Sequence, residues 1–86
     1  MSLMVFSETA WAEYLYWQSQ DRKTLKRINQ LLQSIERDGP MAGLGRPERL
    51  RYRQAYSRRI DEENRLVYEV TGNQILIKSC RGHYQE

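Results

Sequence analysis

His83 is the one histidine in a chain of 86 residues, and its ordinary pKa, about 6.5, lets it give or take a proton near neutrality. Cleaving RNA without a metal needs a base for the 2′-hydroxyl, cations for the charge growing on phosphorus, and an acid for the leaving 5′-oxygen. A glutamate, one or more arginines and a histidine supply that set. Glu48 is one candidate base, with Glu62, Glu63 and Glu69 competing for the role. Cations are concentrated between residues 46 and 65, where Arg46, Arg49, Arg51, Arg53, Arg58, Arg59 and Arg65 occur without a single lysine. Arginine grips phosphate bidentately and stacks on bases, which favours an RNA partner over a merely solvated basic face. Other chemistry finds little footing. Cys80 and His83 make at most half of a zinc site, so no metal and no cofactor are expected. A Ser or Cys nucleophile lacks a base at suitable spacing.

These side chains must be held by elements that the hydrophobic pattern marks out. Leu3 to Phe6 reads as a first strand. Ser7 can cap a short helix, with Glu8 in its first turn and Trp11, Tyr14, Leu15 and Gln18 at helical spacing. Ala10 and Trp17 widen this apolar side, which is expected in the core. Asp21 can cap a second helix in which Leu25, Ile28, Leu32 and Ile35 recur along one face, widened by Leu31. Gly39-Pro40 stops it. The glycine-rich stretch 39–47 lacks the lysine and hydroxyl of a nucleotide-binding loop and reads as a connector.

Beyond that loop the period changes to two, predicting strands over Glu48–Arg51, Tyr56–Asp61, Arg65–Val70 and Ile75–Cys80. Short turns make the last three antiparallel neighbours. The fold class is therefore α+β: two N-terminal helices packed on a twisted, mainly antiparallel sheet in the order β-α-α-β-β-β-β. Alternation sends Leu66, Tyr68, Val70 and Ile60 toward the helices. Ser57, Arg59, Asp61, Arg65, Val67 and Glu69 then share the open face. The strand leading to His83 and Tyr84 should run beside the one carrying Arg65.

Composition bounds the rest. Lys and Arg number 14 against 11 Asp and Glu, a formal charge of +3. The length suits one domain spanning 1–86. No apolar run approaches the roughly 20 residues that cross a bilayer, and no secretory leader is evident. Cys80 is the only cysteine, which fits a reducing cytoplasm.

Several segments carry a family resemblance: Trp11-Ala-Glu-Tyr-Leu-Tyr-Trp17, Gly45-Arg-Pro-Glu-Arg-Leu50, Ser57-Arg-Arg-Ile60, Glu63-Asn-Arg-Leu-Val-Tyr68 and Cys80-Arg-Gly-His-Tyr84. Together they resemble the YoeB/Txe toxins of the wider RelE superfamily. The resemblance implies a microbial-ribonuclease-like fold and a ribosome-dependent endoribonuclease that cuts mRNA in the A site. It implies Glu48 as general base, His83 as general acid, and Arg65 as the arginine stabilising the transition state. Arg59 is implied as a supporting phosphate contact, Tyr84 as a substrate-positioning aromatic, and Arg51 as a basic residue near the scissile phosphate. It also implies an acidic YefM-like antitoxin and a homodimer. One departure stands out: the link Arg53-Gln-Ala-Tyr56 is shorter than the family pattern and lacks its glycine, which bears on where Glu48 and Arg51 sit relative to Arg65. Two other readings remain open, a gyrase-inhibiting ParE-like toxin and a non-catalytic ribosome- or RNA-binding module of the same fold.

Overall fold

Two polar side chains start the helices. Ser7 Oγ accepts the N–H of Ala10 at 3.0 Å and donates to the carbonyl of Lys78 at 2.9 Å, so it starts one helix and ties it to the last strand. Asp21 closes that helix, its N–H reaching Trp17 O at 2.9 Å, and its Oδ1 caps the next by accepting from Lys23 and Thr24. The computed structural model describes residues 2–51 and 54–83. Tyr84 lies outside them, as do Tyr52 and Arg53 of the link. The elements are β1 (Leu3–Phe6), α1 (Glu8–Gln20), α2 (Arg22–Asp38), β2 (Glu48–Arg49), β3 (Ala55–Arg59), β4 (Arg65–Thr71) and β5 (Gln74–Ser79).

The strands form one sheet in the order β1-β5-β4-β3-β2, with β1 parallel to β5 and the other pairs antiparallel. This is the predicted α+β arrangement. Ile28, Leu31 and Ile35 of α2 share a buried cluster with Ala10 and Trp17 of α1 and with Tyr56, Leu66, Tyr68, Ile75 and Ile77 of the sheet. Each large aliphatic buried there stabilises the fold by roughly 1.5–3 kcal/mol relative to exposure.

The expected aromatic face of α1 needs correction. Ala10 and Trp17 are buried, whereas Trp11 and Leu15 are 50% and 43% exposed. Helix α1 packs along β5 and β1 at the sheet margin, so only its inward side is covered. In α2, Leu31 rather than Leu25 or Leu32 is the fully buried leucine.

Three strand ends also differ from the sequence reading. Strand β2 ends at Arg49 and not at Arg51. Strand β3 ends at Arg59, because Asp61 turns the chain: its Oδ1 accepts the N–H groups of Glu63 and Asn64 at 2.8 and 2.7 Å. Asp61 thus belongs to a turn and not to the open face. Strand β5 ends at Ser79, just after an irregularity: Val67 pairs with Ser79 but Tyr68 with Ile77, leaving Lys78 as an extra residue. The bulge reverses the alternation, so that Ser79 shares the face of Val67 while Cys80 turns inward and is fully buried.

The connector 39–47 is more than a linker. Arg58, on the helix side of β3, is 0% exposed. Its Nε donates to Tyr68 Oη, Nη1 to Ser34 Oγ and Leu44 O, and Nη2 to Gly39 O and Ala42 O, all within 2.7–3.0 Å. All five guanidinium N–H donors are used. Glycine is required where the loop closes on this network. A Cβ at Gly43, whose φ is +97°, would collide with Ser34 Oγ and Asp38 Oδ2. At Gly45, with φ +86°, it would lie 2.7 Å from Leu31. Arg58 therefore leaves the RNA-facing arginine set suggested by the sequence and becomes part of the frame.

Candidate active site

The open face is assembled by cross-strand pairing. Glu48 pairs with Ser57, Ser57 with Val67, and Val67 with Ser79, so these four residues form one row across the sheet. Arg59 pairs with Arg65 in the next row along. Rows two residues apart are separated by ~6.6 Å, and neighbouring strands by ~4.8 Å. Glu48 thus stands diagonally across from Arg59, with Arg65 one strand further on in the same row as Arg59. The short link does not pull β2 out of this register.

The C-terminal segment completes the edge. Arg65 N–H donates to Gly82 O at 3.0 Å, which places His83 beside the first residue of β4. Glu48, Arg59 and Arg65 therefore share one end of the open face, and the backbone at His83 runs beside it. Glu48 and His83 are exposed; Arg59 and Arg65 are half-buried.

Among the described residues, no carboxylate forms an ion pair with Arg59 or Arg65. The Arg59 Nε is buried and has no hydrogen-bond partner among the described residues. A buried donor left this way costs roughly 1–3 kcal/mol, a cost that a bound anion would remove. Beside this end, Leu50, Ala55 and Val67 form a small apolar cluster that walls one side of the face. The face is consequently less open than simple alternation suggests, with Ser57 and Val67 both buried.

The competing glutamates are placed differently. Glu69 lies four residues along β4 from Arg65, ~13 Å away, and pairs with Lys78 at 3.7 Å. Glu62 and Glu63 sit in the exposed turn between β3 and β4. Arg51 is exposed and falls beyond the end of β2, so the ladder that places Glu48 does not place it. Among the described residues, no group of three or more His, Cys, Asp or Glu is arranged to hold a metal ion. The Cys80 thiol is pushed up to about 12 by burial and secondarily by the Glu13 carboxylate, so it is a packing residue and no nucleophile at neutral pH.

Sequence reasoning missed the groups that hold the tail. Sequence pattern assigns no role to Glu13 or Asn64 and marks Trp17 only as core. Glu13 Oε1 accepts Cys80 N–H at 2.8 Å, Trp17 Nε1 donates to Cys80 O at 2.9 Å, and Asn64 Oδ1 accepts Gly82 N–H at 2.8 Å. The 13/17 spacing, one helical turn, was the available signal, but it has meaning only once the tail is known to cross that turn.

Two helices on such a sheet, with this edge, define the fold of the small RelE-like toxins. The solved structure of YafQ from Escherichia coli shares it with a TM-score of 0.71 at 15% identity, covering 96% of this chain and 94% of that one. The chain belongs to the family described as YoeB-like toxins of bacterial type II toxin–antitoxin systems, whose model matches residues 6–84. It is 46% identical over 83 residues to the toxin YoeB of Escherichia coli K12, covering 94% of this chain and 98% of that one. The YoeB dimer from Staphylococcus aureus superposes with a TM-score of 0.90 at 47% identity, covering 96% and 98% of the two chains. The heterotetrameric YoeB–YefM complex from the same organism gives a TM-score of 0.88 at 46% identity, covering 98% of this chain and 99% of that one.

Proposed function

We propose that this toxin is a metal-independent endoribonuclease that cuts mRNA in the ribosomal A site and thereby stops translation. The observation that carries the reading is that Glu48, Arg59 and Arg65 share one end of the open face, with no carboxylate among the described residues paired to either arginine, and that the chain at His83 runs beside them. In this mechanism Glu48 takes the proton from the 2′-hydroxyl, whose oxygen attacks the adjacent phosphorus. The bond from phosphorus to the 5′-oxygen breaks as His83 protonates that oxygen, leaving a 2′,3′-cyclic phosphate. Arg65 and Arg59 hold the charge on the non-bridging oxygens; a donor aimed at developing charge is typically worth 10²–10³-fold in rate. Arg51 adds a basic contact near the phosphate, and Tyr84 positions the substrate base.

As in its relatives, the partners are a second copy of the chain and a YefM-like antitoxin. An acidic antitoxin segment lying across or beside Arg59 and Arg65 would suppress cleavage, with an encounter rate that falls as salt rises. The place of action is the bacterial cytoplasm, where ribosomes and messages are.

The test is to add the protein to a translation extract and map mRNA 5′ ends. Cuts within codons that require translation, reduced at least ~10²-fold by His83→Gln with ribosome binding retained, are the expected result. Inhibition of DNA supercoiling without cuts would instead assign the gyrase-directed activity. Ribosome binding without cuts would assign a non-catalytic module.

A further inference from the structure

Strand β5 ends at Ser79, and β4 pairs with it no further than Val67, so the chain that carries His83 leaves the ladder four residues before the histidine. A segment beyond its last strand pairing is ordinarily free to fray. Here it is tied at both ends. The N–H of Cys80 goes to Glu13 and its carbonyl receives Trp17 Nε1–H. The N–H of Gly82 goes to Asn64 Oδ1 and its carbonyl receives Arg65 N–H. Between them, the Arg81 guanidinium lies 3.7 Å from the centre of the Tyr16 ring.

The bonds have a common geometric origin. Ala10, Glu13 and Trp17 follow one another at i, i+3 and i+7, so one stripe of α1 faces the tail. The bulge at Lys78 turns Cys80 onto that stripe, where its thiol packs 3.7 Å from Ala10 O. On the other side, Asn64 is oriented by Asp61, which accepts both its N–H and its Nδ2. Gly82 has φ +88°, a conformation glycine adopts without strain, so the chain can turn sharply there toward Arg65.

We infer that Glu13, Trp17 and Asn64 form a bracket whose work is to position His83 beside Arg65. These are positioning residues; none of them touches the reacting phosphate. The inference rests on the role proposed above for His83. A displacement of about 1 Å at a proton-transferring group can lower a rate ~10²-fold, so loss of one arm should slow the reaction by about 10-fold or more.

The test uses substitutions that remove one bond and little else. Trp17→Phe keeps an aromatic ring in the core and deletes the donor to Cys80 O. Glu13→Leu deletes the acceptor for Cys80 N–H, whereas Glu13→Gln restores a carbonyl oxygen there. Because the chain has one histidine, NMR of its imidazole reads the position of His83 without reference to activity. Trp17→Phe and Glu13→Leu should move the imidazole signals toward those of a short histidine peptide. Both should also lower kcat about 10-fold with KM and ribosome affinity unchanged, and Glu13→Gln should recover both readouts. Should Glu13→Leu not fold, Trp17→Phe carries the comparison. Imidazole signals identical to wild type in Trp17→Phe, or an unrescued loss in Glu13→Gln, would overturn the bracket. Shifted signals with undiminished cleavage would support the bracket and remove His83 from the reaction.

Discussion

Arg58 and Arg59 are neighbours in one strand and of one residue type, yet the two faces of the sheet give them opposite lives. Arg58 is sealed among the helices with every N–H donor satisfied, and three of its partners are loop carbonyls of residues 39–44. Among the described residues no carboxylate touches it directly; Asp38 lies one step away, accepting from Ser34 Oγ at 2.9 Å. Arg59 points to the other face, where its Nε is buried without a partner among the described residues. A completed hydrogen-bond set suits a structural frame, whereas under the proposed function the unfilled donor of Arg59 is available to the substrate.

The sharpest way to break this contrast is to exchange the two fates. Arg58→Met should destabilise the protein by about 3–5 kcal/mol, read from urea unfolding, because it strands buried acceptors in the loop and core. Arg59→Met should not destabilise the protein, and should raise its stability by up to about 1–3 kcal/mol by removing the unpartnered donor, while lowering cleavage. Equal destabilisation by both would erase the distinction between the faces. On the open face, Arg65→Ala or Glu48→Gln should lose ~10²–10³-fold in cleavage with the unfolding midpoint nearly unchanged. Gly45→Ala falls between the two classes. Its positive φ and the 2.7 Å approach to Leu31 should cost about 1–3 kcal/mol.

Acid should expose a smaller effect at the turn that orients Asn64. Burial pushes the Asp61 carboxyl up, but hydrogen bonds from the Asn64 side chain and from the Glu63 and Asn64 N–H groups outweigh it and hold the pKa below the ordinary carboxylate value. A depressed folded pKa contributes stability above the unfolded value, lost as pH falls through the folded one. The stability gap between wild type and Asp61→Asn should therefore narrow below about pH 4. A gap that widens in acid would contradict the assignment. The smallest effect expected is chemical: native Cys80 should resist alkylation at pH 8 and react once the chain is unfolded, since burial holds its thiol near 12.

What the sequence disclosed follows the range of the forces involved. Local signals were legible: the Ser7 and Asp21 caps, the stop at Gly39, and the two-residue alternation that sets Arg65 and Val67 on one face. Long-range partners were not. Nothing near Arg58 announces that Ser34 and the loop carbonyls await it; alternation sets Arg59 and Arg65 on the open face but leaves Arg58 without an assigned role. The bulge at Lys78 depends on Cys80 finding Ala10, 70 residues earlier, and a regular strand to Cys80 was the natural expectation. For the candidate site, residue types and family motifs pointed to Glu48, Arg59, Arg65 and His83. The assembly of the first three at one end of the face depends on strand register, and Arg51 lies beyond the strand pairing that positions Glu48.

In the proposed mechanism the attacking group is the RNA's own 2′-hydroxyl. Programmed ribosomes test this, with a message carrying one 2′-deoxy residue at the cut position and mass analysis of the upstream product of the all-ribose control. The expected result is no cut at the deoxy site, and a 2′,3′-cyclic phosphate on the control product. Undiminished cutting at the deoxy position, or a product ending in a free 3′-hydroxyl, would contradict it.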